Sequence, residues 1–194
     1  MEKRLLITGF DAFGGSEENP SWLAVAQLPD RVGGFILKKC MLPTVYEKAA
    51  EAVLAAAADF DPHIILCVGV AAGRDAVTPE RIAVNIRDAR IPDNQGNHLT
   101  GVPVVPEGPA AYFATVPVAA MAEAIRHAGI PGAVSNTAGT FVCNDTLYFL
   151  LHHFRNSQTR VGFIHVPALP QQHSVSMPLE NTVSALIAAI FACE

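Results

Sequence analysis

One cysteine of the chain has the local surroundings of a nucleophile. Cys143 follows the small-residue, glycine-containing segment 135–140 and precedes the helix-like run 146–151. Backbone N–H groups at the start of a helix lack acceptors and carry partial positive charge, so they favour a thiolate over a thiol. The same groups can hold an oxyanion. The pattern therefore predicts a reactive thiol at Cys143.

A nucleophilic cysteine needs a base, and His165 is the candidate. His165 ends the apolar, strand-like stretch 161–165. In an open α/β sheet, such a strand delivers its last residue to the carboxyl edge, where ligands bind. The alternative is a core histidine whose ring is satisfied by the backbone. A cysteine and a histidine together indicate acyl transfer.

A third group is needed to hold the imidazole in one tautomer. Glu80 follows a proline, just after the glycine-containing segment 69–73. It is a candidate for that role, but a surface glutamate paired with a neighbouring arginine explains the same pattern. From the residues alone, the second interpretation is favoured.

The remaining cysteines and histidines suggest no metal chemistry. Cys40, Cys67 and Cys193 are widely spaced and form no Cys-x-x-Cys pair, and none of the seven histidines has metal-ligand spacing. This argues against both a disulfide framework and a zinc site. We expect no metal and a reducing, cytoplasmic location.

The glycine-rich segment 9–16 follows the first predicted strand. It superficially matches a phosphate-binding loop, but the lysine that such a loop places before its terminal hydroxyl residue is missing. The segment also carries two phenylalanines, Phe10 and Phe13. These belong either to the core or to a pocket wall, and the residues alone do not separate the two.

Composition limits the classes of function. Of the 194 residues, 51% are hydrophobic and 16% charged, which is more apolar surface than a monomer needs to bury, so self-association is expected. A net charge of −5 without a basic cluster argues against nucleic acid as a partner. No apolar run is long enough to span a membrane.

Short β-branched runs alternate with alanine-rich ones, the pattern of an α/β layered domain. We expect one domain over residues 1–194. Strands are predicted at 4–8, 35–41, 64–68, 133–136 and 161–165. One helix is predicted at 22–28 after a cap formed by Asn19 and Pro20, and a second helix is predicted to start at a capping box at 44–47. Two further helices are predicted at 115–128 and 178–192. Segment 87–109 is a long Pro, Gly, Asp and Asn-rich loop, a kind that is usually functional or mobile.

Over nearly its whole length the chain resembles the pyroglutamyl-peptidase I family of cysteine peptidases, also called pyrrolidone-carboxylate peptidases. The resemblance is carried in order by the blocks 8–15 with 19–22, 73–85, 88–94, 135–144 and 162–167. It implies a single three-layer α/β/α domain with a twisted, open, mostly parallel sheet. It also implies a cytoplasmic homotetramer without cofactor.

The resemblance implies an activity as well: removal of an N-terminal pyroglutamyl residue from peptides through an acyl-enzyme. Cys143 would be the nucleophile, His165 the base and then the acid, and Glu80 the residue that orients the histidine. The positions that match the family's substrate pocket are the apolar Phe10, Phe13, Phe141 and Val142 and the polar Asn19 and Arg90.

One departure concerns the glycine segment. The family commonly has glutamine followed by Ala-Gly-Gly, whereas this chain has Val70, Ala71, Ala72 and Gly73. Any contact from the glutamine side chain is lost here. Two other classes stay open: a noncatalytic small-molecule binding domain, and a phosphorylase or nucleotide-binding enzyme on a similar sheet.

Overall fold

The computed structural model describes residues 2–194. Within this range, strands and helices alternate. The strands are β1 (Lys3–Phe10), β2 (Arg31–Val32), β3 (Phe35–Leu42), β4 (Ile64–Val70), β5 (Thr78–Pro79), β6 (Ile82–Val84), β7 (Ala111–Phe113) and β8 (Arg160–Val166). The helices are α1 (Pro20–Gln27), α2 (Lys48–Phe60), α3 (Val118–His127), α4 (Val142–His153) and α5 (Leu179–Phe191).

The main sheet has the strand order β2-β3-β1-β4-β8-β5. Strands β3, β1, β4 and β8 are parallel, while β2 and β5 at the two edges run antiparallel to their neighbours. Strands β6 and β7 form a separate antiparallel ribbon. Because parallel strands end at one edge of the sheet, β1, β4 and β8 bring their last residues together there.

Helices cover both faces of the sheet. Alternate residues of a strand point to opposite faces, so Leu5 and Ile7 of β1 pack with α1 and α5, while Leu6 and Phe10 pack with α2 and α4. The residues of β4 alternate between the two faces in the same way. Both faces are apolar, as expected for a buried parallel sheet. The predicted three-layer α/β/α class with a mostly parallel sheet is confirmed.

The predicted cap of α1 is confirmed. Asn19 accepts a hydrogen bond from the Ser21 N–H at 3.0 Å, and Pro20 occupies the first helical position. A proline there loses nothing, because its missing N–H would have had no acceptor in the helix.

The predicted capping box at 44–47 is wrong. Helix α2 begins at Lys48, and Glu47 has a φ of 63°. The cause is tertiary: the Glu47 N–H donates to Asp145 Oδ2 at 3.0 Å, and the Tyr46 N–H donates to Asp93 Oδ2 at 3.0 Å. These long-range carboxylates satisfy the donors that a local cap would have used.

The strand predicted at 133–136 is also not formed. In the described chain this segment makes an isolated bridge between Glu80 and Ser135 and lies next to another between Val77 and Gly132. Segment 87–109 has no helix or strand within the described residues, but Arg87 and Val102 exchange backbone hydrogen bonds of 2.7 and 3.1 Å. Within residues 2–194, no helix combines the length and apolarity needed to cross a bilayer.

Candidate active site

A cavity of about 200 Å³ opens at the carboxyl edge of the sheet, between the segments that follow β1 and β4 and the start of α4. It is lined by Phe10, Phe13, Asn19, Thr44, Val70, Ala71, Arg74, Ala138, Gly139, Phe141, Cys143 and His165. This is the edge at which parallel sheets bind ligands. Both Cys143 and His165 therefore face the same space.

Cys143 is the second residue of α4. The first backbone bond of the helix runs from the Asp145 N–H to Phe141 O at 3.1 Å, so the amides of Val142, Cys143 and Asn144 precede it. These N–H groups lie beside the thiol. The predicted helix-start position of Cys143 is confirmed.

The thiol approaches the end of β4 closely. A Cβ built on Gly69 would lie 2.9 Å from the Cys143 Sγ and 2.9 Å from the Phe163 ring. Real Cβ atoms do not tolerate such distances, so a side chain at position 69 would push the nucleophile away. Glycine is thus required here for close approach and not for its φ angle.

The pKa of the Cys143 thiol is raised to about 12, mainly by burial and to a smaller extent by the charges of Glu80 and the neighbouring Cys67, while Arg74 acts in the opposite direction. The helix start alone predicts a thiolate, and the structure differs because desolvation of the charged sulfur outweighs the helix dipole. Burial at this position therefore favours the neutral thiol over the thiolate. A base must take its proton during the reaction.

His165 and Glu80 are in direct contact. The His165 Nδ1 lies 2.7 Å from Glu80 Oε1, and both side chains are buried. Burial by itself would raise the pKa of Glu80, but the hydrogen bond and charge of His165, together with Ser135 and Arg74, hold that pKa below its usual range. An ionised carboxylate only accepts, so Nδ1 carries a proton and Nε2 is the ring nitrogen that can act as a base.

Strand pairing explains why these two distant residues meet. Strand β5 runs antiparallel to β8 with Thr78 opposite His165, and the Glu80 N–H donates to Phe163 O at 2.9 Å. The interpretation of Glu80 as a surface residue is wrong, since its side chain is fully buried. Its arginine partner exists, however: Arg74 Nη1 lies 2.7 Å from Glu80 Oε1.

Aromatic rings form one wall of the cavity. Phe13 and Phe141 have ring centroids 6.2 Å apart, and Tyr46 meets Phe141 edge-on with ring centroids 5.5 Å apart. Phe10 is buried against Phe163 at 6.2 Å and also reaches the cavity. Both interpretations of Phe10 thus hold at once, as core and as pocket wall.

The other predicted pocket residues are placed differently. Asn19 lines the cavity, but its Oδ1 accepts from Ser21 and its Nδ2 donates to Asp11 O at 2.8 Å. The Val142 side chain is fully buried in the core beneath α4. Arg90 is exposed in segment 87–109, and neither it nor Val142 is among the cavity-lining residues.

Sequence reasoning missed several residues of the cavity: Thr44, Ala71, Arg74, Ala138 and Gly139. Thr44 is fixed by Asp11, whose Oδ1 accepts from the Thr44 N–H at 2.7 Å and from Asn94 Nδ2 at 3.2 Å. The sequence did contain a signal for Arg74, because it is a charged residue that directly follows the glycine-containing segment 69–73. Within residues 2–194, no three His, Cys, Asp or Glu side chains are grouped so that they could hold a metal ion.

Comparisons with known proteins agree with this geometry. Residues 3–194 match the family model described as pyroglutamyl peptidase. The pyrrolidone-carboxylate peptidase of Escherichia fergusonii is 47% identical over 97% of this chain and 91% of its own length. The crystal structure of Bacillus amyloliquefaciens pyroglutamyl peptidase I has a TM-score of 0.95 at 42% identity, covering 99% and 97% of the two chains. The pyrrolidone carboxyl peptidase from Thermococcus litoralis gives 0.94 at 34% identity, covering 98% and 93%.

Proposed function

Because the chain belongs to the pyroglutamyl peptidase family, we propose that it is a cysteine peptidase that removes N-terminal pyroglutamyl residues from peptides. Cys143 is the nucleophile, His165 the general base and then the general acid, and Glu80 the group that orients the imidazole. No cofactor or metal takes part in this scheme.

The observation that carries the proposal is the chemistry of the cavity wall beside Cys143. Within the described chain no Asp or Glu side chain lines it, and Glu80 behind it is already shared by His165 and Arg74. A peptide with a free α-ammonium group would find no counter-charge. A neutral five-membered lactam is suited to an apolar wall made by Phe10, Phe13 and Phe141.

The reaction follows from the positions of the donors. His165 Nε2 takes the thiol proton, and the Cys143 sulfur attacks the pyroglutamyl carbonyl carbon. The resulting oxyanion is held by the unpaired amides at the start of α4. Collapse of this tetrahedral intermediate breaks the C–N bond, and His165 gives its proton to the leaving amine. A thioester on Cys143 remains.

Hydrolysis then reverses the roles. His165 accepts a proton from water, the hydroxide attacks the thioester, and the sulfur leaves and regains the proton. Throughout, Glu80 stays ionised and stabilises the imidazolium that forms at each step. Val142 contributes its backbone amide in this scheme, since its side chain lies in the core. Arg90 is exposed and not among the residues that line the cavity, and its place in the substrate pocket stays a prediction.

Assembly and location extend the proposal. Self-association is supported by large exposed apolar side chains, of which Phe113 is 68% and Met41 52% exposed, and the family resemblance favours a tetramer. Light scattering of the purified protein would measure the mass of the assembly.

A reducing cytoplasm suits a chain whose four cysteines are all free in the described structure. Cell fractionation tests that location.

The test compares chromogenic amides of pyroglutamate and proline, which differ by the lactam carbonyl. The proposal predicts turnover of the pyroglutamyl amide, little turnover of the prolyl amide, and loss of activity after iodoacetamide. Saturable binding of the pyroglutamyl amide without turnover would instead indicate a noncatalytic binding domain. Turnover that survives complete alkylation of Cys143 would contradict the cysteine mechanism.

A further inference from the structure

Arg74 contacts Glu80, the hydrogen-bond partner of His165, and donates hydrogen bonds to several groups at once. Its Nη1 donates to Glu80 Oε1 at 2.7 Å and to Thr78 Oγ1 at 2.6 Å. Its Nη2 donates to Thr137 O at 2.9 Å. The side chain is 30% exposed and reaches the cavity wall. One guanidinium thus connects the carboxylate to two segments that frame the site.

The carboxylate depends on this contact. Glu80 Oε1 accepts from both His165 Nδ1 and Arg74 Nη1, while in the described chain Oε2 is buried with no hydrogen-bond partner. The bonds from His165 and Arg74 therefore fall on the same oxygen. Without Arg74, His165 Nδ1 would be the only one of these two donors left on Oε1.

The second contact reaches the nucleophile's segment. Thr137 lies in the turn ahead of α4, where its Oγ1 accepts from the Gly139 N–H at 3.1 Å. Ala138 and Gly139 of this turn line the cavity. Arg74 therefore fixes the orienting carboxylate relative to the chain that leads into Cys143.

From these contacts we infer that Arg74 is a positioning residue for the reaction: it fixes Glu80, and through Glu80 the ring of His165, against the turn before the nucleophile. The inference rests on the proposed function. Arg74 acts through Glu80 and does not itself exchange a proton with substrate. Its loss should therefore lower kcat and change KM little.

The experiment compares Arg74→Met and Arg74→Lys with Arg81→Met. Arg81 adjoins Glu80 and donates to Asn136 Oδ1 at 2.8 Å, in the same turn, but does not touch the carboxylate. Arg74→Met should lower kcat at least roughly tenfold, the factor that corresponds to one pKa unit, with KM within about threefold. Arg74→Lys keeps the positive charge but loses the planar guanidinium that donates to two segments at once, so its kcat should be intermediate. Arg81→Met should match the wild type.

A second readout separates positioning from a merely structural role. The rate of Cys143 alkylation should fall in Arg74→Met, because the guanidinium charge that favours the thiolate is gone and His165 is less well oriented. Unchanged kcat and alkylation in a folded Arg74→Met variant would overturn the inference. So would a large rise in KM at unchanged kcat, which would make Arg74 a pocket residue.

The results for the Arg74 variants can be distinguished from a failure of the proposed function. If the wild type does not release pyroglutamate, the proposed function fails, whatever Arg74 does. If the wild type is active and Arg74→Met does not fold, Arg74→Lys decides. A folded lysine variant with wild-type kcat would then overturn the inference, and an intermediate kcat would support it.

Discussion

The Nδ1 of His165 lies 2.7 Å from Oε1 of Glu80, and both side chains are buried. An ionised carboxylate at this place fixes the proton on Nδ1 and leaves Nε2 as the base. The pair is set by the register of β5 against β8, two segments more than eighty residues apart in the sequence. The chemistry proposed for Cys143 depends on this contact.

Replacing Glu80 by glutamine should reduce kcat/KM by about a hundredfold or more, the usual scale of general acid–base catalysis. Glutamine keeps the volume but loses the charge that stabilises the imidazolium, and its amide can donate to Nδ1 and so select the wrong tautomer. Steady-state kinetics on a pyroglutamyl amide measure the effect. The control is Glu51→Gln, an exposed residue on α2, which should behave as the wild type. Equal loss in both variants would argue against a specific role for Glu80.

Glu80 should also make stability depend on pH. Its folded-state pKa is lowered, so its contribution is present above the unfolded-state value of 4.5 and is lost as pH falls through the lower folded-state pKa. The wild type should therefore lose free energy of unfolding more steeply than Glu80→Gln below about pH 4.5. Urea titrations at several acidic pH values give the slopes. Parallel curves for the two proteins would mean that Glu80 has an ordinary pKa in the fold.

His165 should control the pH at which Cys143 reacts. The pKa of the thiol is raised to about 12, mainly by burial, so a thiolate forms at neutral pH only when the imidazole takes the proton. In His165→Ala, alkylation of Cys143 by iodoacetamide should keep rising with pH to the alkaline limit of the assay. In the wild type it should set in at lower pH. Peptide mapping of the alkylated sites measures both, and superimposable profiles would refute the role of His165 as base.

Phe13 should matter for binding more than for chemistry. Phe13 is half-buried and lines the cavity with its ring centroid 6.2 Å from that of Phe141, and covering such a ring completely contributes roughly 1.5–3 kcal/mol of apolar contact. Phe13→Ala should therefore raise KM about tenfold or more with a smaller change in kcat. The matched control is Phe60→Ala, a half-buried phenylalanine at the end of α2, just before β4 begins at the opposite edge of the sheet. A control with the same KM increase would show that the effect is global.

Local sequence signals predicted the parts of the site that depend on local structure. The Asn19 cap of α1 and the position of Cys143 at the start of α4 follow from residues close in sequence. The capping box at Thr44 failed because carboxylates of Asp93 and Asp145, far along the chain, satisfy the local amides.

Long-range packing produced what local reasoning could not give. Whether Glu80 is buried is decided by the pairing of β5 with β8, and the residues on either side of it carry no trace of that pairing. The raised pKa of Cys143 has the same origin, since burial is a property of the assembled layers and not of the helix start. The role of Arg74 depends on Glu80 and Thr137, which only the fold brings to the two Nη atoms of its guanidinium.

Turnover of a chromogenic pyroglutamyl amide by the Cys143→Ala variant decides whether Cys143 is the nucleophile. Cys40→Ala is the matched control, since Cys40 lies on β3 and does not line the cavity. We expect Cys143→Ala to release no chromophore above the uncatalysed rate, whereas Cys40→Ala should keep the wild-type rate. Substantial release by a folded Cys143→Ala protein would contradict this role.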